Sequence, residues 1–240
     1  MRIDIWSDVA CPWCWIGKRR FEAALTDFEH ADQVEVAWHS YQLDPTLPER
    51  HDGSELDYLV TRKGASAEQI TAMFAHVTEQ GRTVGAEFDF DKVVVANSAT
   101  AHRLLQLAKR EGKGDDLYER LFAAHFRDGD DIGDHDTLVG HAEAVGIDAD
   151  AARDALSSDD LAQAVADDIA TARQIGVQGV PFFVLDERYG VSGAQPTEVF
   201  GQVLDEVWRE LHPAPTLLRP VAVDGVDVGQ AGETCGPDGC

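Results

Sequence analysis

Cys11-Pro12-Trp13-Cys14 brings two thiols within three positions of each other, where a strand-like pattern gives way to a helix-like one. Dithiol chemistry needs that placement. A helix start leaves backbone N–H groups unpaired and carries partial positive charge, so it stabilises the thiolate of the first cysteine. The second cysteine falls one turn later on the same face, within reach of a mixed disulfide formed on the first. Pro12 suits the first helical position, where a missing N–H costs nothing and φ is already set. The other two cysteines, Cys235 and Cys240, lie at the far end of the chain. On residue types alone two chemistries are open: thiol–disulfide exchange, or a four-cysteine zinc site built from the C-x2-C and C-x4-C pairs. Zinc is the poorer fit, because Cys14 on a first helical turn faces inward and the Pro-Trp insert suits exchange. No metal is therefore expected.

The surrounding pattern must hold the motif in place. Residues 2–8 alternate as a strand, and 15–25 follow as a helix. A second strand is read over 34–43 and ended by Asp44-Pro45, completing strand–helix–strand. From residue 54 to 175 the pattern turns helical. Apolar stripes run over 67–80, 97–111, 115–127, 137–145 and 157–175, with 87–95 extended or loop. Such stripes bury only against one another, so the block reads as a compact helical unit. Residues 180–185 return to strand, Tyr189–Gly193 forms a hairpin partner, and Thr197–Leu211 is a last amphipathic helix stopped by Pro213 and Pro215. The expected fold is α/β: a thioredoxin-like layer from residues 1–45 and 176–213, with an all-helical insertion over 54–175. Residues 216–240 read as a flexible, Gly- and Asp-rich tail carrying the second cysteine pair. Pro181 opens its strand, a position proline tolerates. The residue alone leaves cis and trans open; a cis bond would turn the Val180 backbone toward a substrate strand.

Charge removes several function classes. Asp and Glu number 44 against 20 Lys and Arg, a formal charge of −24 over 240 residues, so nucleic acid and anionic membrane surfaces are repelled. No apolar run reaches the ~18 residues of a membrane span, and no apolar leader follows Met1, so a cytoplasmic protein is expected. The acidic bias suits solubility in high salt, as in a halophile, and equally a high-GC genome with an acidic proteome.

Three segments carry a family resemblance: Asp8-Val9-Ala10-Cys11-Pro12-Trp13-Cys14-Trp15-Ile16-Gly17, Asn97-Ser98-Ala99-Thr100-Ala101-His102-Arg103, and Gly176-Val177-Gln178-Gly179-Val180-Pro181-Phe182-Phe183-Val184. The chain resembles the DsbA family of thioredoxin-fold oxidoreductases, in particular its cytoplasmic FrnE-like branch. The resemblance implies Cys11 as attacking thiol, Cys14 as resolving thiol and a cis Pro181 beside them. Trp13 and Val180 would then contact substrate, and Cys235/Cys240 look like the second, auxiliary redox pair of some members. The same segments are similar to 2-hydroxychromene-2-carboxylate isomerases and kappa-class glutathione transferases, which use a serine where this chain has Cys11. Two thiols favour exchange over conjugation or isomerisation. The expected partners are protein or small-molecule thiols and disulfides, with a recycling reductant or oxidant. No cofactor beyond the Cys11–Cys14 disulfide is implied, and glutathione is an admissible co-substrate. The absence of a leader tilts direction toward reduction. A non-catalytic, chaperone-like module is the remaining rival. His39, His102 and His125 read as packed histidines, Asn97 as a helix cap, Trp6 and Trp15 as core, Trp13 as exposed, and Asp128–Asp131 as a solvated loop.

Overall fold

The computed structural model describes residues 1–48 and 51–213. Strand β1 (Arg2–Ser7) leads into helix α1 (Pro12–Thr26), and β2 (Glu35–Ser40) pairs parallel to β1 with Ile3 opposite Val36. Strand β2 is shorter at both ends than the alternation suggests, because Val34 closes a 3-10 turn onto Ala31 and Tyr41 leaves the ladder after pairing with Ser7. After the insertion come β3 (Phe182–Leu185), β4 (Tyr189–Ser192) and the final helix, with sheet order β2-β1-β3-β4. β3 runs antiparallel to β1, and β4 antiparallel to β3.

The period-2 alternation of β1 divides the chemistry between the sheet's two faces. Ile3 and Ile5 point to one side with Phe183 and Leu185. There Phe21 of α1 packs on Phe183, and Phe200 of the final helix completes an aromatic cluster, with ring centroids 4.7–5.7 Å apart. Asp4 and Trp6 point to the other side, where Trp6 joins Ala172 and Val177 and donates its indole N–H to Asp168 O at 3.0 Å. His39 of β2 bridges the Asp4 and Asp168 carboxylates at 2.7 Å each.

Among the described residues seven α-helices separate β2 from β3: α2 (Glu55–Lys63), α3 (Ala67–Arg82), α4 (Ala99–Arg110), α5 (Gly114–Ala123), α6 (His135–Ala144), α7 (Ala149–Ser157) and α8 (Asp159–Gln174); Thr197–Leu211 is then α9. One reading from periodicity needs correction, and α2 and α7 lie outside the stripes read from the sequence. The helix read over 157–175 is α8, Asp159–Gln174. Ser158 ends α7 and caps α8 by accepting from Leu161 N–H, so the chain breaks and restarts at one residue. The helix read over 115–127 ends at Ala123 and widens into a π turn over Ala124–Asp128, placing His125 and Phe126 inward. Residues 87–95 form a loop apart from turns, and Phe88 and Phe90 from it stack against α3 and the π turn. The tail with Cys235 and Cys240 lies outside the described residues.

Candidate dithiol site

β1 delivers the chain to the motif and α1 receives it. Cys11 is the N-cap of α1, in extended conformation (φ −104°, ψ 111°), with Pro12 at the first helical position. Its N–H donates to Asp8 O and its carbonyl accepts from Cys14 N–H, both at 3.0 Å. Both cysteines are free thiols and both are buried, Cys11 at 4 % and Cys14 at 1 % exposure. Their environments differ. Burial, then the hydrogen bond and charge of Cys11, push the Cys14 thiol well above its ordinary range. The Ser7 hydroxyl and Asp8 N–H beside its sulfur oppose this only weakly. Cys14 is therefore held as a proton-bearing thiol next to Cys11.

On the opposite side of Cys11 stands Pro181, and the Val180–Pro181 peptide bond is cis, as the resemblance implies. The Val180 carbonyl accepts from Cys11 Sγ at 3.6 Å. The Pro181 carbonyl accepts from Gly193 N–H at 2.8 Å, which anchors the turn to the end of β4. Gly17 of α1 lets this turn approach, since a Cβ there would lie 2.8 Å from Pro181 Cγ. Trp13 is half-buried, not exposed, with its ring 5.7 Å from that of His76 on α3.

Asp8 organises the approach to the motif. Its carboxylate accepts from Ala10 N–H (3.2 Å) and Leu43 N–H (2.8 Å) and pairs with His102 Nε2 at 3.2 Å. Burial opposes its ionisation, but the His102 hydrogen bond and charge and the two N–H groups outweigh it and hold the carboxyl below its usual range. Asn97 does cap α4, accepting from Ala99 N–H at 2.9 Å, although Ser98 occupies the N-cap position. It also accepts from the Gln42 side chain and donates to Leu47 O, tying the 42–47 segment to the helix start.

Beside Cys11 these elements enclose a cleft of about 310 Å³. Its walls come from the 43–47 segment, α2, α3, the 90–96 loop and the π turn, and Cys11, Pro12 and Trp13 form its floor. Among the titratable groups that line it, burial displaces Glu55 up to about 7 and His125 down to about 4. The residue pattern offers no signal for either. Asp8 had one: it stands just before the Cys11–Cys14 motif, in the first segment that carries the family resemblance.

The model of the DsbA-like thioredoxin domain matches residues 2–205. The chain belongs to the DsbA-like thioredoxin family. A probable DsbA oxidoreductase from Streptomyces coelicolor shares 39 % identity and a TM-score of 0.83, covering 100 % of this chain and 98 % of that one. The cytosolic disulfide reductase DsbM from Pseudomonas aeruginosa, solved with glutathione, aligns at 20 % identity and TM-score 0.64 over 87 % and 100 % of the two chains. A 2-hydroxychromene-2-carboxylate isomerase aligns at 14 % identity and TM-score 0.65 over 88 % and 98 %. These last two share the fold of this DsbA-like domain. Among its described residues no helix is long and apolar enough to cross a membrane.

Proposed function

We propose that this DsbA-like protein is a thiol–disulfide oxidoreductase working through Cys11 and Cys14. The observation that carries the reading is the inequality of the two thiols. Cys11 caps a helix beside a cleft, and Cys14 sits beneath it with its proton retained by burial. In the reducing direction the Cys11 thiolate attacks one sulfur of a substrate disulfide, forming a mixed disulfide and expelling a substrate thiolate. Cys14 then gives up its proton and attacks Cys11 sulfur. The second substrate thiolate leaves, and the Cys11–Cys14 disulfide holds the two electrons' worth of oxidation. Burial of Cys14 keeps it from competing as the first nucleophile, and closeness to Cys11 makes the second step intramolecular. Val180, at the cis turn, offers backbone to an extended substrate beside Cys11.

Direction follows from what surrounds the thiolate. The spread of potentials among thioredoxin-fold dithiols is about 150 mV, roughly 7 kcal/mol for two electrons, and tracks stabilisation of the attacking thiolate. Trp13 adds no positive charge between the cysteines, so the site sits away from the strongly oxidising end. We read the protein as a disulfide reductase, with glutathione or another small thiol regenerating the dithiol, a reading the glutathione-bound DsbM supports by likeness of fold. The isomerase alternative gives no role to Cys14.

Insulin reduction by turbidity and reduction of 2-hydroxyethyl disulfide with glutathione as electron donor test this on wild type, Cys11→Ser and Cys14→Ser. Cys11→Ser is expected to lose both activities, and Cys14→Ser to accumulate a mixed disulfide detectable by mass. Retention of both activities in Cys11→Ser would refute the mechanism.

A further inference from the structure

Exchange with an extended peptide along Val180 makes no use of the cleft on the other side of Cys11. That cleft holds about 310 Å³, at the small end of the ~300–1,000 Å³ range of small-molecule sites. It has room for an aromatic group and none for a folded chain. Met73, Phe74 and Val77 of α3 form one wall, and Phe90 stacks on Phe74 at 4.1 Å and 7° to extend it as a flat aromatic surface. Leu47 and Leu59 close the other side.

Three of the polar groups at the rim, Asp44, Tyr58 and Arg62, are engaged with one another, and Lys63 also lines the cleft. Asp44 accepts from Tyr58 Oη at 2.9 Å and lies 3.3 Å from Arg62 Nε. An anionic ligand would also face Glu55, whose carboxyl burial already disfavours charge. Deep in the cleft, His125 is 3 % exposed and makes no hydrogen bond within the described chain. Its Nδ1 is sealed in protein without a partner, so the capacity left for a ligand lies on the ring's other nitrogen. Burial keeps the ring neutral. A neutral imidazole offers either a donor or an acceptor there, and a hydroxyl group satisfies both cases.

We infer that this cleft is a substrate subsite for an uncharged, hydroxyl-bearing aromatic group, presented to Cys11 as one half of a small disulfide. The inference rests on the exchange reading above and names its substrate class. With the aryl half seated between Phe74 and the 43–47 segment, its sulfur faces Cys11. The Cys11 thiolate attacks that sulfur, the S–S bond breaks, and the other half leaves as a thiolate. Cys14, deprotonated to solvent, then attacks Cys11 sulfur and releases the arenethiolate. One disulfide is reduced to two thiols and one dithiol is oxidised, with no further reactant.

Bis(4-hydroxyphenyl) disulfide is the probe and 2-hydroxyethyl disulfide the comparator, each mixed with the reduced full-length protein in stopped flow. The readout is the ratio of their second-order rate constants, so any loss of Cys11 reactivity cancels. Met73→Trp, at a half-buried wall position, fills the cleft. His125→Phe removes the polar anchor, and its lost hydrogen bond corresponds to about fivefold. A tenfold or larger fall in the ratio for Met73→Trp, with a fall of about fivefold for His125→Phe, is the expected result. A ratio within twofold of wild type in both variants overturns the subsite. If wild type reduces neither disulfide, the exchange reading has failed, and the cleft is judged by calorimetric titration of Cys11→Ser with 2-naphthol. Binding that Met73→Trp abolishes sustains the subsite; no binding to Cys11→Ser overturns it.

Discussion

Gly17 offers a direct check on how the site is assembled. A Cβ added there would meet Pro181 Cγ at 2.8 Å and Ala194 Cβ at 3.4 Å. The proline ring cannot swing away as a long side chain would, and its carbonyl is tied to Gly193 N–H at 2.8 Å. Gly17→Ala therefore forces α1 and the cis turn apart. Overpacking of this kind costs about 1–3 kcal/mol, while replacing a mid-helix glycine by alanine gains about 1 kcal/mol. The net is a loss of about 0–2 kcal/mol. Gly201 in the middle of α9 is the matched control, because nothing lies within 4 Å of a Cβ built there. Gly201→Ala should keep the full helix gain of about 1 kcal/mol, so the two variants should differ by about 1–3 kcal/mol. For a protein of this size each kcal/mol corresponds to about 2–4 °C in Tm. Differential scanning calorimetry on both variants, with 2-hydroxyethyl disulfide reduction alongside, reads the two consequences. Gly17→Ala should melt below Gly201→Ala and lose exchange activity, because displacing Pro181 also displaces the Val180 carbonyl now 3.6 Å from Cys11 sulfur. Equal stabilisation and full activity in both would show that this contact does not set the site's geometry.

With limiting iodoacetamide at pH 7, peptide mapping of the reduced protein should show Cys14 alkylation trailing Cys11 by tenfold or more, since a thiol pushed well above its ordinary range is under about 1 % thiolate there. Asp168→Asn should cost about 3 kcal/mol by urea denaturation at pH 7, because His39, Ser40 N–H and the Gln106 amide all converge on that carboxylate. Burial raises the Asp168 pKa, but the His39 hydrogen bond and charge outweigh it, and the folded value lies below the unfolded one. Its contribution is therefore complete above the unfolded value of about 3.9 and lost as pH falls through the lower folded value, so the gap to wild type should narrow below about pH 4. Glu55 runs the other way: its folded value of about 7 exceeds the unfolded one, so the wild type loses stability as pH rises between them. Glu55→Gln should raise Tm relative to wild type at pH 8 and leave it unchanged at pH 4.

What the sequence made legible is what depends on local period and turn chemistry. Pro12 after Cys11 marks the start of α1, alternation marks β1, and the apolar side of α9 holds Phe200, Leu204 and Val207 at helical spacing. The misread end of α5 has a plain cause: periodicity tells which residues face the core, not where hydrogen bonding changes register. The widened turn at Ala124 keeps Phe126 and His125 on the inner side, so the stripe survives the change, whereas α7, Ala149–Ser157, lies outside the stripes read from the sequence. The cleft was illegible for another reason. Its lining spans residues 8–125, and neither Glu55 nor His125 carries a local mark of its role. Their displaced pKa values come chiefly from burial, which exists only once α2, α3 and the π turn have closed around them. The Asp8–His102 pair falls between these cases, since each residue stands in a recognisable segment but their contact spans 94 positions.

The insertion is what distinguishes this site from a bare strand–turn–helix dithiol. A thiolate at a helix start needs only β1 and α1, and the cis turn needs only β3. Neither explains why Cys11 is 4 % exposed or why an apolar cleft meets its sulfur. Asp8 supplies the link, because its carboxylate holds the loop before Cys11, the Leu43 backbone that borders the cleft and His102 of α4 in one buried cluster. Asn97 repeats the arrangement one segment further on, holding α4 to Leu47. The wall facing Cys11 is thus anchored to the element that presents it, by hydrogen bonds to backbone on both sides. On the proposed reading, a cleft fixed in that way sorts substrates by shape before any bond is exchanged. On that reading the thiols break the disulfide, and the inserted helices select which disulfides reach them.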